Sequence, residues 1–514
     1  MSKHLFAAID AGSYELGLGI FEVSSQGTIK QLEDLRRTID LGTDTYNTGK
    51  LSQLHVSMMT DTLREFKKVM DSYGVEAYKA YGTSAIREMD DAHIILSRWE
   101  RDSGIHIDVL SNSEQRFLNY KALATKSRNF TEIIKKPSAI VDIGGGSIQI
   151  SLFDQEKLVT TQNLKLGVLR IQEQLRRIDA PNYEVEGLIV ELVSSQLAVF
   201  EKMYLKDRQI RNIIVIDDYI SRVVVGKEYA SPEAGPGFIT ADGYFRFIEM
   251  IHQYNRQAIA MTLGITERDI PNLYIAAIMV RCILKMMNAE MMWVPGVSLC
   301  DGIVYEYAEK KGFVRQPHSF EDDILACAQD IRKRYKGSRV RSETIGNIAL
   351  KIFDATKKFH GMGKRERLLL QISAILHDCG KYISMVNLAE CSYGIIMATE
   401  IIGLSHRERE MVANVVKYNH SEFKYASHTA GGSFDLETYL TVAKLTAIIR
   451  VANGLDRSHK QKFKDPQVAL KDGKLVISVG AGENVTLEKG LFEGRADFFE
   501  EIMGIRPIIR QRKR

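Results

Sequence analysis

Read only as a pattern of apolar and polar positions, the chain changes character twice. It opens on alternation: "HLFAAIDAGSYELGLGIFEVSSQG" predicts two strands joined by a tight Asp-Ala-Gly-Ser turn. "LSQLHVSMMTDTLREFKKVMDSYG" then repeats its apolar residues at helical spacing, and "VEAYKAYGTSAIRE" predicts a strand running into a helix. "SAIVDIGGGSIQISLFD", Ser138 to Asp154, repeats the opening plan of apolar strand, aspartate, glycine turn and second strand. The two hairpins set Asp10 and Asp142 132 residues apart, too far for a solenoid repeat and suited to one duplicated domain. Two α/β halves facing each other across a cleft are expected. From about Pro317 to His459 the spacing is almost wholly helical, as in "SETIGNIALKIFDATKKF" and "RERLLLQISAILHDCG". Alternation returns in "QVALKDGKLVISV", where Asp472-Gly473 predicts a hairpin turn, before one more helix and the basic tail "RQRKR".

Composition narrows the class. A chain of 514 residues accommodates about three domains. With 26% charged residues and a net charge of +4, charge alone implies no nucleic-acid partner. No apolar run approaches the ~20 residues needed to cross a bilayer. The start, "MSKHLFAAID", leads straight into a strand, so no signal peptide is expected. Five cysteines, Cys282, Cys300, Cys327, Cys379 and Cys391, are odd in number and lack CxxC spacing, which points to a reducing compartment without disulfides or zinc. A cytoplasmic protein is the expectation.

The glycine turns carry the chemistry. A glycine run after a strand removes every Cβ, so backbone N–H groups can close around an oxyanion. An aspartate at the strand end supplies a hard oxygen ligand for Mg²⁺, which usually travels with phosphates. Each turn alone also suits an ordinary hairpin, since Gly and Asp are common turn residues. Two of them at corresponding points of similar halves favour phosphate binding.

The set "AAIDAGS", "YGTSAIRE", "VLSNSEQRFLNY", "IVDIGGGS" and "LKLGVLRI" resembles the exopolyphosphatase/guanosine-pentaphosphate phosphohydrolase (Ppx/GppA) family, in the family's order and over nearly the whole chain. The resemblance implies an α/β fold of two duplicated, ribonuclease-H-like lobes of the sugar-kinase, actin and chaperone-ATPase superfamily. These would span residues 1–130 and 131–312, followed by an all-α HD-like domain over 318–460 and a small α+β segment over 461–514. "LLLQISAILHDCGKYIS" and "VANGLDRSH" carry the likeness to an HD domain. It further implies a first phosphate turn of Asp10, Gly12 and Ser13, and a second of Asp142, Gly144, Gly145, Gly146 and Ser147. Asp10 and Asp142 would be the metal ligands, and Arg87 would hold a phosphate as a forked donor, although without the motif its residue type points rather to a helix-surface salt bridge.

The chain also departs from the family. "SNSEQRF" matches a segment whose second acid is the catalytic base, so Glu114 falls on the first acid and Gln115 on the base. An amide can orient water but cannot take its proton at neutral pH, and a base is worth on the order of 10²–10⁴ in rate. A register shifted by one residue would make Glu114 the base. Gln149 stands where the family has an acid, Tyr14 where it has asparagine, and Asp217-Asp218 where a Gly-Gly turn is expected. "LCDG", Leu299 to Gly302, replaces the family's "LREG". In the helical half, His377 and Asp378 remain while Cys391, Asn419 and Asn453 replace expected ligands, so no metal is expected there. His377-Asp378 would then be a hydrogen-bonded pair at a helix end. "IRKRYKGSRVR", with six Lys or Arg in eleven residues, would attract a polyanion, or else be a solvated helix end.

The functional expectation is Mg²⁺-dependent water attack on the terminal phosphoanhydride of polyphosphate or guanosine pentaphosphate, with Glu114, Gln115 and Gln149 around the attacking water. The rival is a regulatory protein that binds polyphosphate or nucleotide and has lost the chemistry. A sugar-kinase-like phosphotransferase ranks last. Neither a membrane nor a nucleic acid is expected as partner, and a helical C-terminal half suits a homodimer.

Overall fold

The computed structural model describes residues 2–126, 128–179, 181, 183–206, 208–217, 219–220, 235–314, 319–425 and 434–511. Asp218, Pro317 and the last three residues of the basic tail lie outside them. Two units emerge, Met1–Ser319 and Phe320–Arg514.

The first unit holds two sheets of one plan. In one, β1 (Lys3–Ala11), β2 (Glu15–Ser24) and β3 (Ile29–Thr38) form an antiparallel meander, and β4 (Ala77–Gly82) and β5 (Ile107–Val109) extend it in parallel beyond β1, in the order β3-β2-β1-β4-β5. In the other, β6 (Ser138–Ile143), β7 (Ile148–Asp154) and β8 (Lys157–Leu164) repeat the meander. There β9 (Asn212–Asp217) and β11 (Met291–Trp293) are the parallel extension, and β10 (Phe238–Thr240) closes the edge antiparallel to β11. Both meanders carry a bulge in their middle strand, at Ile20/Phe21 and Leu152/Phe153. This is the duplicated, actin-like α/β plan. β6 and β7 are buried on both faces: Ala139, Val141, Ile148 and Ile150 join the apolar core on one, and Asp142, Gln149 and Ser151 share the other.

Each sheet has its own core. Ile9, Leu18, Val56, Leu63, Phe66 and Trp99 fill one, and Val141, Ile150, Val193, Phe247 and Ile278 the other. The helix Leu299–Lys310, late in the chain, returns to the first sheet: Leu299, Ile303 and Val304 bury against Phe6, Ala8 and Phe21. Its Gly302 lies against the helix Asn112–Lys126, where a Cβ would sit 2.3 Å from the Leu118 carbonyl. Among the described residues one helix, Glu267–Met287, is long and apolar enough to cross a membrane, contrary to the reading of apolar runs. Of its apolar window, 72% is buried inside the fold, as in a core helix.

In the second unit the helices Arg339–Ala355, Lys364–Leu376, His406–His420 and Leu436–Leu455 share a core of Ile348, Leu370, Val412 and Ile448. The expected hairpin is present: Asp472 and Gly473 both adopt positive φ between β12 (Gln467–Lys471) and β13 (Lys474–Val479). The start of the basic tail is ordered structure: Arg510 and Gln511 belong to β14 (Arg506–Gln511), which pairs in parallel with β13. All five cysteines are free thiols.

Candidate functional site

The two hairpin turns close alike. The Gly12 amide donates to the Glu15 carbonyl at 2.9 Å, and the Gly144 amide to the Ser147 carbonyl at 3.0 Å. Asp10 pairs across its hairpin with Gly17, and Asp142 with Gln149. The turns also meet each other. A Cβ built on Gly145 would lie 3.1 Å from the Ser13 Cβ, and one on Gly146 would lie 2.3 Å from the Tyr46 hydroxyl and 2.9 Å from Ser84 Oγ. The glycines therefore have a steric cause beside the expected electrostatic one: the first turn and its neighbours fill the volume a side chain would need. Ser13, Tyr46 and Ser84 form a triangle of hydroxyls, each 2.8 Å from the next, and Ser13 Oγ also accepts from the Ala85 amide at 3.2 Å.

"LKLGVLRI" has its explanation in the same place. Gly167 precedes the helix Val168–Ile178, and a Cβ on it would collide with the Gly145 carbonyl at 2.2 Å. Because it is bare, the first helical amides reach the turn: Val168 donates to the Gly144 carbonyl at 3.1 Å, and Leu169 and Arg170 to that of Gly145 at 3.0 and 3.2 Å. Arg170 Nε adds a bond to the Gly146 carbonyl at 3.0 Å, its guanidinium lies over the Tyr46 ring, and its other end pairs with both Glu88 carboxylate oxygens. The helix N-terminus thus satisfies the carbonyls of the turn rather than binding an anion itself.

The helix Asn112–Lys126 brings the remaining candidates together. Glu114 forms a capping box: its carboxylate accepts from the Ser111 amide at 2.9 Å while Ser111 Oγ accepts from the Glu114 amide at 3.2 Å. Gln115 makes no side-chain hydrogen bond among the described residues and is half-buried. One residue further on, buried Arg116 donates through Nε to Gln149 Oε1 at 2.7 Å and to the Thr161 hydroxyl. Three residues beyond that, on the same face, Asn119 Nδ2 donates to Asp142 Oδ2 at 2.7 Å. Arg87 turns its fork onto the Leu110 carbonyl and the Asn112 side chain, tying its short helix to the start of this one. Asp217 uses its carboxylate for the Tyr219 amide, at 2.7 Å, and the Ile220 amide, which closes its own turn. "LCDG" opens its helix with a capping box of Ser298 and Asp301.

Sequence reasoning missed Arg116, Asn119, Tyr46 and Ser84. Arg116 and Asn119 stand inside "SEQRFLNY" at the i, i+3 spacing of one helix face, so their signal was present. Ser84 lay in a quoted motif, and Tyr46 had no local signal. Tyr14 reaches Asp269 across 255 residues of chain, its phenol donating to Oδ1 at 2.6 Å; burial and this carboxylate push its pKa above the usual phenol range.

The second unit holds a buried polar centre of its own. Arg341 donates to Asn453 Oδ1 at 2.8 Å and to Asp456 Oδ2 at 3.3 Å, Asn453 donates to Asn419 at 3.2 Å, and His420 Nε2 donates to the His377 carbonyl at 2.6 Å. Two expectations need correcting. Arg341, the end of the basic segment, is no solvated residue but lies buried among these groups. His377 and Asp378 are 3.6 Å apart, too far for a hydrogen bond, and His377 Nδ1 bonds instead to the Ala374 carbonyl at 2.9 Å. Burial pushes His377 well down from its usual pKa and His420 down to about 4, so both rings are neutral at pH 7.

Comparison with known proteins bears on both units. The model of the Ppx/GppA phosphatase family matches residues 20–311, more than half of the chain, and that of Ppx/GppA phosphatase, domain III, matches residues 325–491. The chain is 21% identical over 417 residues to a guanosine-5'-triphosphate,3'-diphosphate pyrophosphatase of Photobacterium profundum, covering 80% of each. It is 22% identical over 300 residues to exopolyphosphatase 1 of Mycobacterium bovis, covering 58% of this chain and 86% of that protein. The crystal structure of an exopolyphosphatase from Cytophaga hutchinsonii superposes with a TM-score of 0.51 at 17% identity, over 60% of this chain and 98% of that one, a likeness of fold.

Proposed function

The chain belongs to the Ppx/GppA phosphatase family, and from that premise we propose that it binds a phosphoanhydride chain at its two hairpin turns and releases the terminal phosphate, from inorganic polyphosphate or guanosine pentaphosphate. The observation that carries the proposal is the meeting of the two turns: Asp10-x-Gly12-Ser13 and Asp142-x-Gly144-Gly145-Gly146-Ser147 come from corresponding strand ends and abut at Ser13 and Gly145. Glycines bare of Cβ and two aspartates at strand ends suit the backbone amides and carboxylates that phosphate recognition needs.

Asp10 and Asp142 would hold the metal. Among the described residues no group of three or more His, Cys, Asp or Glu converges on one point. That donor set fits Mg²⁺, which takes one or two carboxylates and completes its shell from waters and substrate phosphates. When bound, Mg²⁺ supplies neutralisation of phosphate charge. The chain's own groups do the rest. Asn119 orients the Asp142 carboxylate, Arg116 orients the Gln149 amide, and that amide, with Gln115, would position water in line with the terminal phosphoanhydride.

A second reading is favoured by one observation. The Glu114 carboxylate already accepts the amide of its helix cap, and Gln115 and Gln149 put amides at the positions where the family resemblance expects acids, Gln115 at that of the general base. On that reading the protein senses polyphosphate or nucleotide without turning it over. Phosphate release by the full chain with Mg²⁺, from each compound separately and beside Asp142→Ala, separates the two. Release lost in Asp142→Ala supports the hydrolase. Saturable binding without release supports the sensor, and Gln115→Glu with Gln149→Glu is then expected to raise release at least tenfold. Neither binding nor release of either compound would sink both readings.

A further inference from the structure

The second unit has an open pocket of about 590 Å³ between the end of the helix His406–His420, the middle of Leu436–Leu455 and the helix Glu493–Met503. Its size is that of ordinary small-molecule sites. Two arginines line it. Arg450 spends Nε on the Tyr418 carbonyl at 2.7 Å and one NH₂ on that of Ser421, and its guanidinium stacks over the Phe498 ring at 4.4 Å. Among the described residues Arg495 reaches only the Leu491 carbonyl, at 3.3 Å, and its Nε is buried with no hydrogen-bond partner. Gly454, of the "VANGLDRSH" motif, makes room for it: a Cβ there would lie 2.5 Å from Arg495 Cδ.

Neither arginine has an ion pair among the described residues, although three acids line the cavity. Glu501 accepts the Tyr425 phenol at 2.9 Å, Asp497 pairs with Arg506 at 2.9 Å, and Glu422 acts on Arg450 through its charge without an ion pair. Burial, and then Arg495, hold the Arg450 guanidinium below its usual range; burial, and then Arg457, do the same to Arg495. Half-buried cations that repel one another and make no ion pair among the described residues leave guanidinium N–H groups for an anion. Aromatic rings line the same cavity. Phe423 and Phe498 are buried with ring centroids 5.3 Å apart, and Tyr425, 57% exposed, stands edge-on to Phe423 at 5.5 Å.

We propose that this cavity binds a purine nucleoside monophosphate, its phosphate on Arg495 and Arg450 and its base against Tyr425 and Phe423. Arginine forks match phosphate oxygens, and aromatic faces stack bases of any sequence. The site is independent of the reading of the cleft. Isothermal titration of the full chain with AMP, GMP and inorganic phosphate tests it. AMP or GMP should saturate, with inorganic phosphate at least tenfold weaker. Arg495→Gln should weaken the nucleotide at least tenfold. Tyr425→Ala, at an exposed rim position that leaves the core intact, should weaken it about threefold or more, and Asp142→Ala in the cleft should change nothing. The proposal fails if neither nucleotide saturates, if inorganic phosphate binds as tightly, or if binding survives Arg495→Gln and Tyr425→Ala but is lost in Asp142→Ala.

Discussion

The two buried polar centres of this chain make the same substitution and put it to different ends. In each, an amide stands where the family resemblance leads one to expect an acid, and in each its oxygen accepts from a buried arginine: Gln149 from Arg116, Asn453 from Arg341. In the first unit the arginine stands to one side. Asp142 keeps its own donor in Asn119, and bare glycines surround the turns. In the second, Arg341 is itself the cation of the centre, bonded to Asn453 and Asp456, beside two imidazoles that burial keeps neutral. An acid-to-amide change beside an arginine therefore does not by itself tell whether a site has been kept or filled. The position of the cation does.

The largest effect expected comes from removing that cation. Arg341→Met strands the Asp456 carboxylate, whose side chain is 1% exposed, and an uncompensated buried charge costs about 3–5 kcal/mol. Urea unfolding of the full chain measures it, and adding Asp456→Asn should recover much of the loss. A double variant no more stable than Arg341→Met would show that the ion pair is not what the arginine serves.

Acid should distinguish the centres next. The unfolded chain protonates His420 near pH 6.5, whereas the folded ring resists down to about 4. Unfolding therefore takes up protons across that window, and stability falls as pH falls from 6.5 towards 4. At pH 5 His420 alone accounts for roughly 2 kcal/mol, and His377 adds in the same direction. Urea midpoints equal at pH 7 and pH 5 would contradict the burial of these rings.

The smallest effect sharpens the likeness of the two turns. Gly12 and Gly144 make the same closing bond, yet a Cβ on Gly12 would meet the Glu15 carbonyl at 2.8 Å, and one on Gly144 nothing closer than the Ser147 carbonyl at 3.6 Å. Gly12→Ala should cost about 1–3 kcal/mol, and Gly144→Ala should be neutral or slightly stabilising. Equal melting temperatures for the two variants would mean that the first turn relaxes as freely as the second.

What the sequence determined by itself is what local physics specifies. Period-2 and period-3.6 spacing marked the strands and helices, and turn chemistry marked both Asp-Gly hairpins and Asp472-Gly473. The repetition of one hairpin plan announced two halves that share an antiparallel meander extended in parallel beyond its first strand. The tertiary structure alone decided which side chains those elements bring together. Glu114 became a helix cap, Arg87 a clamp on Leu110 and Asn112, and Arg341, read as part of a charged segment, the centre of a buried network with a partner 115 residues away. The physical reason is that a lone charged residue has a local preference for solvent but no local preference for a partner. Only when packing removes the water does it matter which oxygen lies within about 3 Å, and that oxygen is supplied by a distant part of the chain.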